Sequence, residues 1–501
     1  MKRRHLLLIC CMAALATAMA SNADSALVEH TSLGRSPILE AMRNPALHGM
    51  GYRTSFSQLA LGIDMQRQSQ AFVPEKGKGY TLPYLAVRTH LNLNDRTTVW
   101  GSASYTTGKQ HGITWNSTAD YDILQPYILA DTLGGDTHRE RYAINGGYAR
   151  RINQRISLGG EMMVRAEQEY RDRDPRMRGI VTDLTLRLGI ACNWNSYRMG
   201  AALEANIYKQ TNSVAFYHEE GVIPEYQMTG LGTEYSRFSG DKRSLYYDGG
   251  GMALLLHASP SGGNGLYGDI SLDEHRYHRK LAEYNSMPLT DLYHEHVGAT
   301  VGWRHKSASQ RQITVLGHID YTRHTGNEHV GGTSDARYFP VIACLTMYKG
   351  HTLDSHLGMV YSRGRWNMDV QAGYLNTSEE YVYPNRQDEA SHAYGKVKGQ
   401  CFITPRQGLI LTLQAHAAQY FNTSERLSMP LANMAPHFIE MVQHKHHFAA
   451  ASYTDLAAAL RADLAWKKSR YGLFAEVGSQ VTLCSVGEQA VMLQASIGIT
   501  F

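Results

Sequence analysis

The sequence has no long apolar segment after residue 20. The longest uninterrupted apolar stretches are like Met252–Leu256, whereas a transmembrane helix needs about 20 consecutive apolar residues. This excludes a helical membrane protein. It does not exclude a transmembrane β-barrel, because barrel strands are apolar only at alternate positions and the loops and lumen are polar.

Cysteine is scarce, and the charge is nearly balanced. Only Cys192, Cys344, Cys401 and Cys484 follow residue 20, and their spacing predicts neither a disulfide scaffold nor a zinc site. We expect isolated thiols on strands. Without the three basic residues near the N-terminus, 46 Lys and Arg remain against 45 Asp and Glu, a net charge of +1. This balance predicts no nucleic-acid partner.

The first residues are typical of a secretory signal peptide. A basic stretch at Lys2–Arg4 precedes the apolar stretch Leu6–Ala18, and Ala18-Met19-Ala20 supplies the small-x-small cleavage pattern. The apolar stretch is too short to be a transmembrane helix. We therefore predict a signal peptide at residues 1–20 and a mature chain that starts at Ser21.

The last eleven residues alternate strictly between apolar and mostly polar side chains. Val491, Leu493, Ala495, Ile497, Ile499 and Phe501 share one face of a predicted strand. A final strand that ends on an aromatic residue resembles the recognition signal of bacterial outer-membrane barrels. That resemblance assigns outer-membrane targeting to Phe501.

The same alternation recurs through the chain in segments of the 9–11 residues that a tilted transmembrane strand needs. Eight short connections alternate with nine longer ones, as expected for tight periplasmic turns and larger extracellular loops. The sequence thus predicts an all-β fold, a transmembrane antiparallel up-and-down β-barrel of about 18 strands (16–20) over residues 53–501. An even strand number requires Tyr338–Met347 to lie in a loop. A secreted solenoid or tandem sandwiches remain as alternatives.

Charged side chains alternate with the lipid-facing positions on several predicted strands. They either select a solute in a polar lumen or pack the barrel interior through salt bridges, and the second interpretation is favoured for individual residues. The predicted lumen-facing residues are Glu161, Arg165, Asp183, Arg187, Arg198, Glu204, Arg461, Asp463 and Glu476.

Histidine is abundant, with 24 residues in the chain. His444, His446 and His447 fall in a predicted loop at 421–452, and His294 and His296 lie in or beside a predicted loop at 274–293. The i, i+2 pairs would share one side of an extended chain, and imidazole binds zinc, copper and haem iron. These five residues are the candidates for metal or haem capture at the cell surface. The alternative is loop histidines that are solvated or packed against tyrosines.

No nucleophile motif such as GxSxG occurs, so no catalytic residue and no cofactor is predicted. The segment 21–52 precedes the first strand, and Pro37–Met42 within it could form a helical turn. The Asn44-Pro45-Ala46 element that follows resembles one in fatty-acid-transporter-like barrels. With the C-terminal strand, the chain resembles the uncharacterised outer-membrane β-barrel proteins of Bacteroidota. That resemblance implies a barrel whose N-terminal segment enters the lumen.

These features predict a gated pore or accessory uptake component for a small or hydrophobic solute. The alternative is a non-transporting barrel that scaffolds a surface receptor or secretion complex, and a third hypothesis is metal capture or a barrel enzyme. The expected partners are the outer-membrane lipid bilayer, the barrel-assembly machinery and, for the alternative, a protein of such a complex. The large loops are expected to be extracellular.

Overall fold

The structure is a computed structural model that describes residues 22–35, 43–217, 225–236, 244–282, 286–307, 311–333, 339–430, 434–465 and 471–501. The predicted signal peptide, the predicted helical turn at Pro37–Met42 and the predicted turn at 467–470 lie outside these ranges.

Eighteen long antiparallel strands form one closed sheet, which confirms the predicted fold class. In chain order they are β1 Phe56–Gln68, β2 Gly79–Asn94, β3 Thr97–Ile113, β4 Gly135–Arg151, β5 Ile156–Tyr170, β6 Arg176–Trp194, β7 Tyr197–Ala215, β8 Ser244–Pro260, β9 Gly265–Leu281, β10 Met287–Lys306, β11 Arg311–Gly331, β12 Val341–Arg363, β13 Trp366–Tyr381, β14 Arg386–Arg406, β15 Leu409–Ser428, β16 Tyr453–Ala465, β17 Gly472–Cys484 and β18 Gln489–Thr500.

Each strand pairs with the strand that follows it in the chain, and the first strand closes the barrel on the last. β1 pairs antiparallel with β18 from Gln58 to Gln68. Beyond this ladder, the Phe501 amide donates to the Ser57 carbonyl at 3.0 Å, and the Ser57 amide donates to the Phe501 carbonyl at 2.9 Å. The closed ladder removes the free sheet edges that water or another chain would otherwise pair with.

The six predicted short turns that the structure describes in full lie between consecutive strands at one end of the barrel, which we call the turn end. The described parts of the longer connections lie at the opposite end, the loop end. Because β1 runs from the turn end and β18 returns to it, the N-terminal segment and the C-terminus lie at the turn end.

The strands are longer than the 9–11 residues that the sequence pattern predicted, and they range up to the 23 residues of β12. The prediction that Tyr338–Met347 lies in a loop is wrong, because β12 begins at Val341. Val341–Thr346 pairs with the end of β11 instead of adding a strand. Eighteen strands therefore remain, and the paired wall continues well past the length needed to cross a bilayer.

The outer surface of the barrel is apolar and the inner surface is polar. Large apolar side chains project outward from several strands, with Leu188 71%, Leu203 65% and Val301 65% exposed. Polar and charged side chains at the alternate positions face the lumen. This is the division that lipid on one side and water on the other requires.

The remaining elements lie before β1 or in the loops. The helices are α1 Asn22–Thr31, α2 His48–Gly51, α3 Tyr121–Leu124 and α4 Pro436–Ala449, with 3-10 turns at Leu33–Arg35, Pro45–Leu47 and Pro74–Lys76. A small sheet joins Leu129–Asp131, Glu225–Gly230 and Thr233–Glu234. Within the described ranges, no helix combines the length and the apolar composition needed to cross a membrane.

The four cysteines after residue 20 are free. Cys192 lies on β6, Cys344 on β12, Cys401 on β14 and Cys484 on β17.

Candidate functional site: a lumen filled from both ends

The N-terminal segment, residues 22–35 and 43–52 in the structure, crosses the turn end of the lumen. Leu27 on α1 is 6% exposed and packs with Phe56, Phe402 and Ile410. Ala46 and Leu47 form a second small apolar contact with Ala191 on β6. The segment therefore reaches strands on widely separated parts of the wall, and it does so through small apolar contacts.

Three glycines on adjacent strands make room for the 3-10 turn at Pro45–Leu47. A Cβ on Gly159 would lie 2.4 Å from the Pro45 carbonyl carbon, and a Cβ on Gly189 would lie 2.1 Å from Oδ1 of Asn44. On Gly200 it would lie 2.7 Å from Nδ2 of the same asparagine. These glycines belong to β5, β6 and β7. The wall thus has a groove that fits this segment, because any larger residue there would collide with it.

Asn44 shapes the turn that lies in this groove. Its Oδ1 accepts a hydrogen bond from the Ala46 amide at 3.0 Å, which caps the turn in which Pro45 occupies an N-terminal position. Its Nδ2 donates to the Ile190 carbonyl on β6 at 3.1 Å. The Asn-Pro-Ala element thus begins the 3-10 turn and attaches the N-terminal segment to the wall of the barrel.

Glu29 on α1 binds the chain that leads into β1. Its carboxylate accepts hydrogen bonds from the Arg53 amide at 2.9 Å, the Thr54 amide at 3.1 Å and the Thr54 hydroxyl at 2.6 Å. Arg35 donates to it at 2.8 Å. Burial alone would raise the pKa of Glu29, but these donors outweigh burial and lower it below its usual value.

His30 stands beside this network. Its ring stacks on Tyr52 with the centroids 3.9 Å apart, and its Nε2 lies 2.7 Å from the Thr54 carbonyl oxygen. Burial lowers the pKa of His30 despite that hydrogen bond. The neutral ring is therefore the form that fits between α1 and the chain leading into β1.

Gln400 on β14 attaches the segment to the opposite part of the wall. Its Oε1 accepts from the Leu33 amide at 2.7 Å, and its Nε2 donates to the Thr31 carbonyl at 2.9 Å. The Gln400 amide therefore pairs with one backbone N–H group and one backbone carbonyl of the link between α1 and the 3-10 turn at Leu33–Arg35.

The predicted lumen-facing charges lie in compact ion-pair groups. Arg187 pairs with Glu161 at 2.9 Å and with Glu204. The Glu161 carboxylate also accepts from the Trp100 indole at 2.9 Å. The Trp100 ring in turn stacks on His48 of α2 at 3.7 Å. The wall charges and the N-terminal segment thus belong to one connected group.

A second ion-pair group joins the wall to the loop end. Arg165 pairs with Asp183 at 3.0 Å, with Glu167 at 3.0 Å and with Asp120, beside α3, at 2.6 Å. The sequence pattern identified Arg165 and Asp183 as lumen-facing but did not associate them with Asp120, because Asp120 lies in a loop.

The other predicted lumen residues form smaller contacts. Arg461 pairs with Asp463 at 2.8 Å and with Glu476 at 3.4 Å. Arg198 donates to Asn193 at 3.2 Å near the turn end.

The loop end is filled by the largest apolar cluster in the described residues. It joins the small sheet, α3 and α4 to inward-facing residues of the upper strands. Arg279 on β9 is 1% exposed within it and donates to the carbonyls of Met228 and Ile128, both at 3.0 Å. Sequence periodicity gives no sign of this arginine, since its partners are backbone carbonyls of loop segments.

His444, His446 and His447 lie in the connection between β15 and β16, as predicted, but on α4 and not on an extended chain. His446 contacts Asp388 at 2.6 Å, and His444 contacts the Ala71 carbonyl at 2.6 Å. Residues two apart on a helix do not share a face. Lys445 pairs with Glu75 at 3.2 Å. Burial alone would lower the pKa of Lys445, but Glu75, Tyr121 and Glu379 raise it well above its usual value.

The prediction that His294 and His296 lie in or beside a loop is wrong, because both face the lumen on β10. His296 contacts Asp273 at 2.6 Å and Asp320 at 2.8 Å, while His294 stacks on His324 at 4.2 Å. In the described part of the chain, no group of three or more His, Cys, Asp or Glu residues is arranged to hold a metal ion. Metal or haem binding by these five histidines stays a prediction.

Several cavities remain between the N-terminal segment and the wall. One of about 260 Å³ lies between Thr31 and Leu33 and the inner faces of β14–β18. Another of about 370 Å³ includes His30, His48 and Arg187, and one of about 230 Å³ includes Asn44, His257 and Asp320. The lumen is thus divided and partly filled by the segment.

The model of one protein family, a family of unknown function (DUF6850), matches residues 45–501. No curated protein matches the chain.

Solved structures with a similar barrel include BauA, the ferric preacinetobactin receptor from Acinetobacter baumannii, at 8% identity and a TM-score of 0.41, covering 90% of this chain and 80% of that one. A variant of the ferric enterobactin receptor PfeA from Pseudomonas aeruginosa matches at 9% identity and 0.41, covering 89% and 80%. The siderophore receptor PirA from Acinetobacter baumannii matches at 8% and 0.40, also covering 89% and 80%. These distant similarities supply no function.

Proposed function

The chain belongs to this family of unknown function, and from its own geometry we propose that it is an outer-membrane barrel acting as a gated pore or uptake component for a small solute. The gate in this proposal is the N-terminal segment. The turn end faces the periplasm and the loop end faces the exterior, since short turns are periplasmic in such barrels. The Asn-Pro-Ala element, which resembles those of Bacteroidota barrels, agrees with the proposal that the chain is an outer-membrane barrel.

The observation that carries the proposal is how the N-terminal segment is held. Two small apolar contacts and the polar contacts of Glu29, Gln400 and Asn44 attach it to the wall. Such contacts exchange with water at modest cost, because a hydrogen bond contributes only about 1 kcal/mol net between neutral groups and about 1.5–3 kcal/mol to a charged group such as Glu29. A segment attached in this way can leave the lumen at far lower cost than the apolar cluster at the loop end.

Planar-bilayer recording of the full chain and of a form without residues 22–52 tests the gate. We expect small, brief currents from the full chain and steady, larger currents after truncation. A third form that also lacks residues 431–449 measures the resistance of the loop end separately. No gain in current from either truncated form would refute the gate.

A disulfide provides a reversible version of the same test. A Cβ built on Gly34 would lie 3.1 Å from the Ser362 Cβ, a few tenths of an ångström closer than the roughly 3.5–4.5 Å of a disulfide, so a small shift of the segment accommodates the bond. In a background without the four native cysteines, the Gly34→Cys and Ser362→Cys pair should abolish brief openings when oxidised and restore them on reduction. The Ser362→Cys single variant is the matched control and should respond to neither treatment.

The packed loop end favours one second candidate, a non-transporting barrel that scaffolds a surface complex. Arg279 and the surrounding apolar cluster fill much of that end in the part of the chain that the structure describes. If every truncated form stays silent in the bilayer while a stoichiometric partner co-purifies with the full chain, this second candidate replaces the pore.

A further inference from the structure

A row of inward-facing residues crosses five adjacent strands under the N-terminal segment. The strand register places Gln400 beside Gln414, Gln414 beside Ala459, Ala459 beside Gly478 and Gly478 beside Gln494. Two glutamines therefore stand on one side of two very small residues, and a third stands on the other side.

The neighbouring row repeats this arrangement one step along the strands. Lys398 lies beside His416, His416 beside Ala457, Ala457 beside Gln480 and Gln480 beside Met492. Together the two rows form a shallow basin. Its floor consists of Ala457, Ala459 and Gly478, and all of these residues line the cavity of about 260 Å³.

The basin has the width of one small ring-shaped molecule. Gln414 on β15 and Gln494 on β18 are three strand spacings apart, or about 14 Å between backbones at about 4.8 Å per strand. Their side chains extend into that gap from both sides. Thr31 and Leu33 of the N-terminal segment close the cavity from above.

Three of the rim amides are not used by the fold. Unlike Gln400, the side chains of Gln414, Gln480 and Gln494 hydrogen-bond to no other group in the described chain. Each such amide offers a carbonyl acceptor and an NH₂ donor to whatever occupies the basin.

We propose that this basin binds a neutral, hydroxyl-rich solute of about the size of a single hexose. A hydroxyl group both donates and accepts, which matches an amide that does the same. The C–H face of a sugar ring packs on the small apolar floor, while the hydroxyl groups at its edge meet the rim amides. The proposal rests on the proposed function, because it names the solute class for that lumen.

The charges at the basin favour a neutral solute over an acidic one. Lys398 is the one Lys or Arg among the described residues that line this cavity. The strand register places it directly beside Asp369 on β13, and that carboxylate compensates its charge. The selective groups that remain are the amides and the imidazole of His416.

The basin is also connected to the gate. Gln400 binds the Thr31 carbonyl and the Leu33 amide at the edge of the same cavity. A solute in the basin therefore contacts the part of the N-terminal segment that this amide holds.

The test measures glucose binding by the detergent-solubilised full chain, by saturation-transfer NMR titration, with glucuronate and dialanine as comparison probes. The Gln414→Leu/Gln494→Leu variant removes two rim amides, and Ala459→Leu fills the floor while keeping every amide. Gln371→Leu on β13 changes an inward-facing amide that does not line the cavity. Heat-modifiable migration confirms that each variant is folded.

We expect glucose to bind the native chain and Gln371→Leu with affinities within about twofold. Both basin variants should weaken binding at least about tenfold, since each removes hydrogen bonds or space on which the ring depends. The proposal would be overturned if the native chain bound no glucose or if both basin variants bound glucose as tightly as the native chain. Tighter binding of glucuronate or dialanine than of glucose would also overturn it. Glucose binding without gated current would refute the gate alone, and gated current without glucose binding would refute the basin alone.

Discussion

Replacing Glu29 should release the N-terminal segment while leaving the barrel intact. The Glu29 side chain is 16% exposed and accepts hydrogen bonds from four donors. Hydrogen bonds to a charged group contribute about 1.5–3 kcal/mol each, and water replaces part of this at a half-buried site. We therefore expect Glu29→Ala to weaken docking by about 3 kcal/mol, which is roughly a hundredfold shift in the equilibrium.

Trypsin provides the assay, because Arg35, Arg43 and Arg53 all lie in or next to the segment. Cleavage of a segment that opens rapidly follows the population of the open form. The cleavage rate should rise about a hundredfold in Glu29→Ala. It should rise less in Glu29→Gln, which keeps one acceptor oxygen.

Glu440→Ala is the matched control, because Glu440 is an exposed glutamate on α4 at the other end of the barrel. It should be cleaved at the native rate. If Glu29→Ala is also cleaved at the native rate while its barrel still shows heat-modifiable migration, then Glu29 does not hold the segment, and the reasoning fails.

Docking of the segment should weaken in two steps as the pH falls. Burial lowers the folded-state pKa of His30, so the contribution of His30 to docking is lost as the pH falls below about 6.5. The pKa of Glu29 is also lowered in the folded state, so its contribution is lost as the pH falls below about 4.5. The cleavage rate of the segment, divided by that of the unfolded chain at the same pH, measures the loss of docking. The His30→Asn variant should lack only the step below about 6.5. Leu460→Arg on the outer face should cost about 2–4 kcal/mol and impair heat-modifiable folding, unlike Gln480→Arg in the lumen; equal folding of both would contradict the assigned faces. Arg279→Met should lower the thermal unfolding temperature, since about 3 kcal/mol is lost with its buried carbonyl partners; an unchanged temperature would show that the loop end does not depend on it.

The number of strands was predictable because lipid imposes a period of two on every membrane-crossing strand. The upper strand ends were not predictable, since outside the bilayer nothing requires apolar outward positions. Tyr338–Met347 shows the consequence: the even strand number assigns this strand-like stretch to a loop, whereas Val341–Met347 is the upper part of β12. The length of β12 beyond the membrane depends on its pairing with β11, and the sequence of one strand alone does not determine that pairing.

The helix α4 carried a local signal that the histidine pattern obscured. Phe438, Met441 and Val442 are buried at helical spacing, and Pro436 lies at the start of the helix. The i, i+2 spacing of the histidines places them on one side only in an extended chain, and the helical spacing of the buried residues excludes that conformation.

The site itself depends on contacts between distant parts of the sequence. The inward positions of Arg187 and Glu161 follow from alternation, but their contact with Trp100 and the segment does not. The same holds for the glycine groove, since Gly159, Gly189 and Gly200 gain meaning only when Asn44 and Pro45 lie over them.

The position of the N-terminal segment has a consequence for the order of folding. Its contacts extend from β5–β7 to β14 and β15, so its docking surface exists only once the sheet has curved round to join them. The segment is synthesised before the barrel strands and yet completes its contacts after them, since contacts between residues so distant in the sequence form late. We expect trypsin resistance at Arg35 to develop only after the β1–β18 seam has closed, so that the resistance reports a finished barrel during assembly.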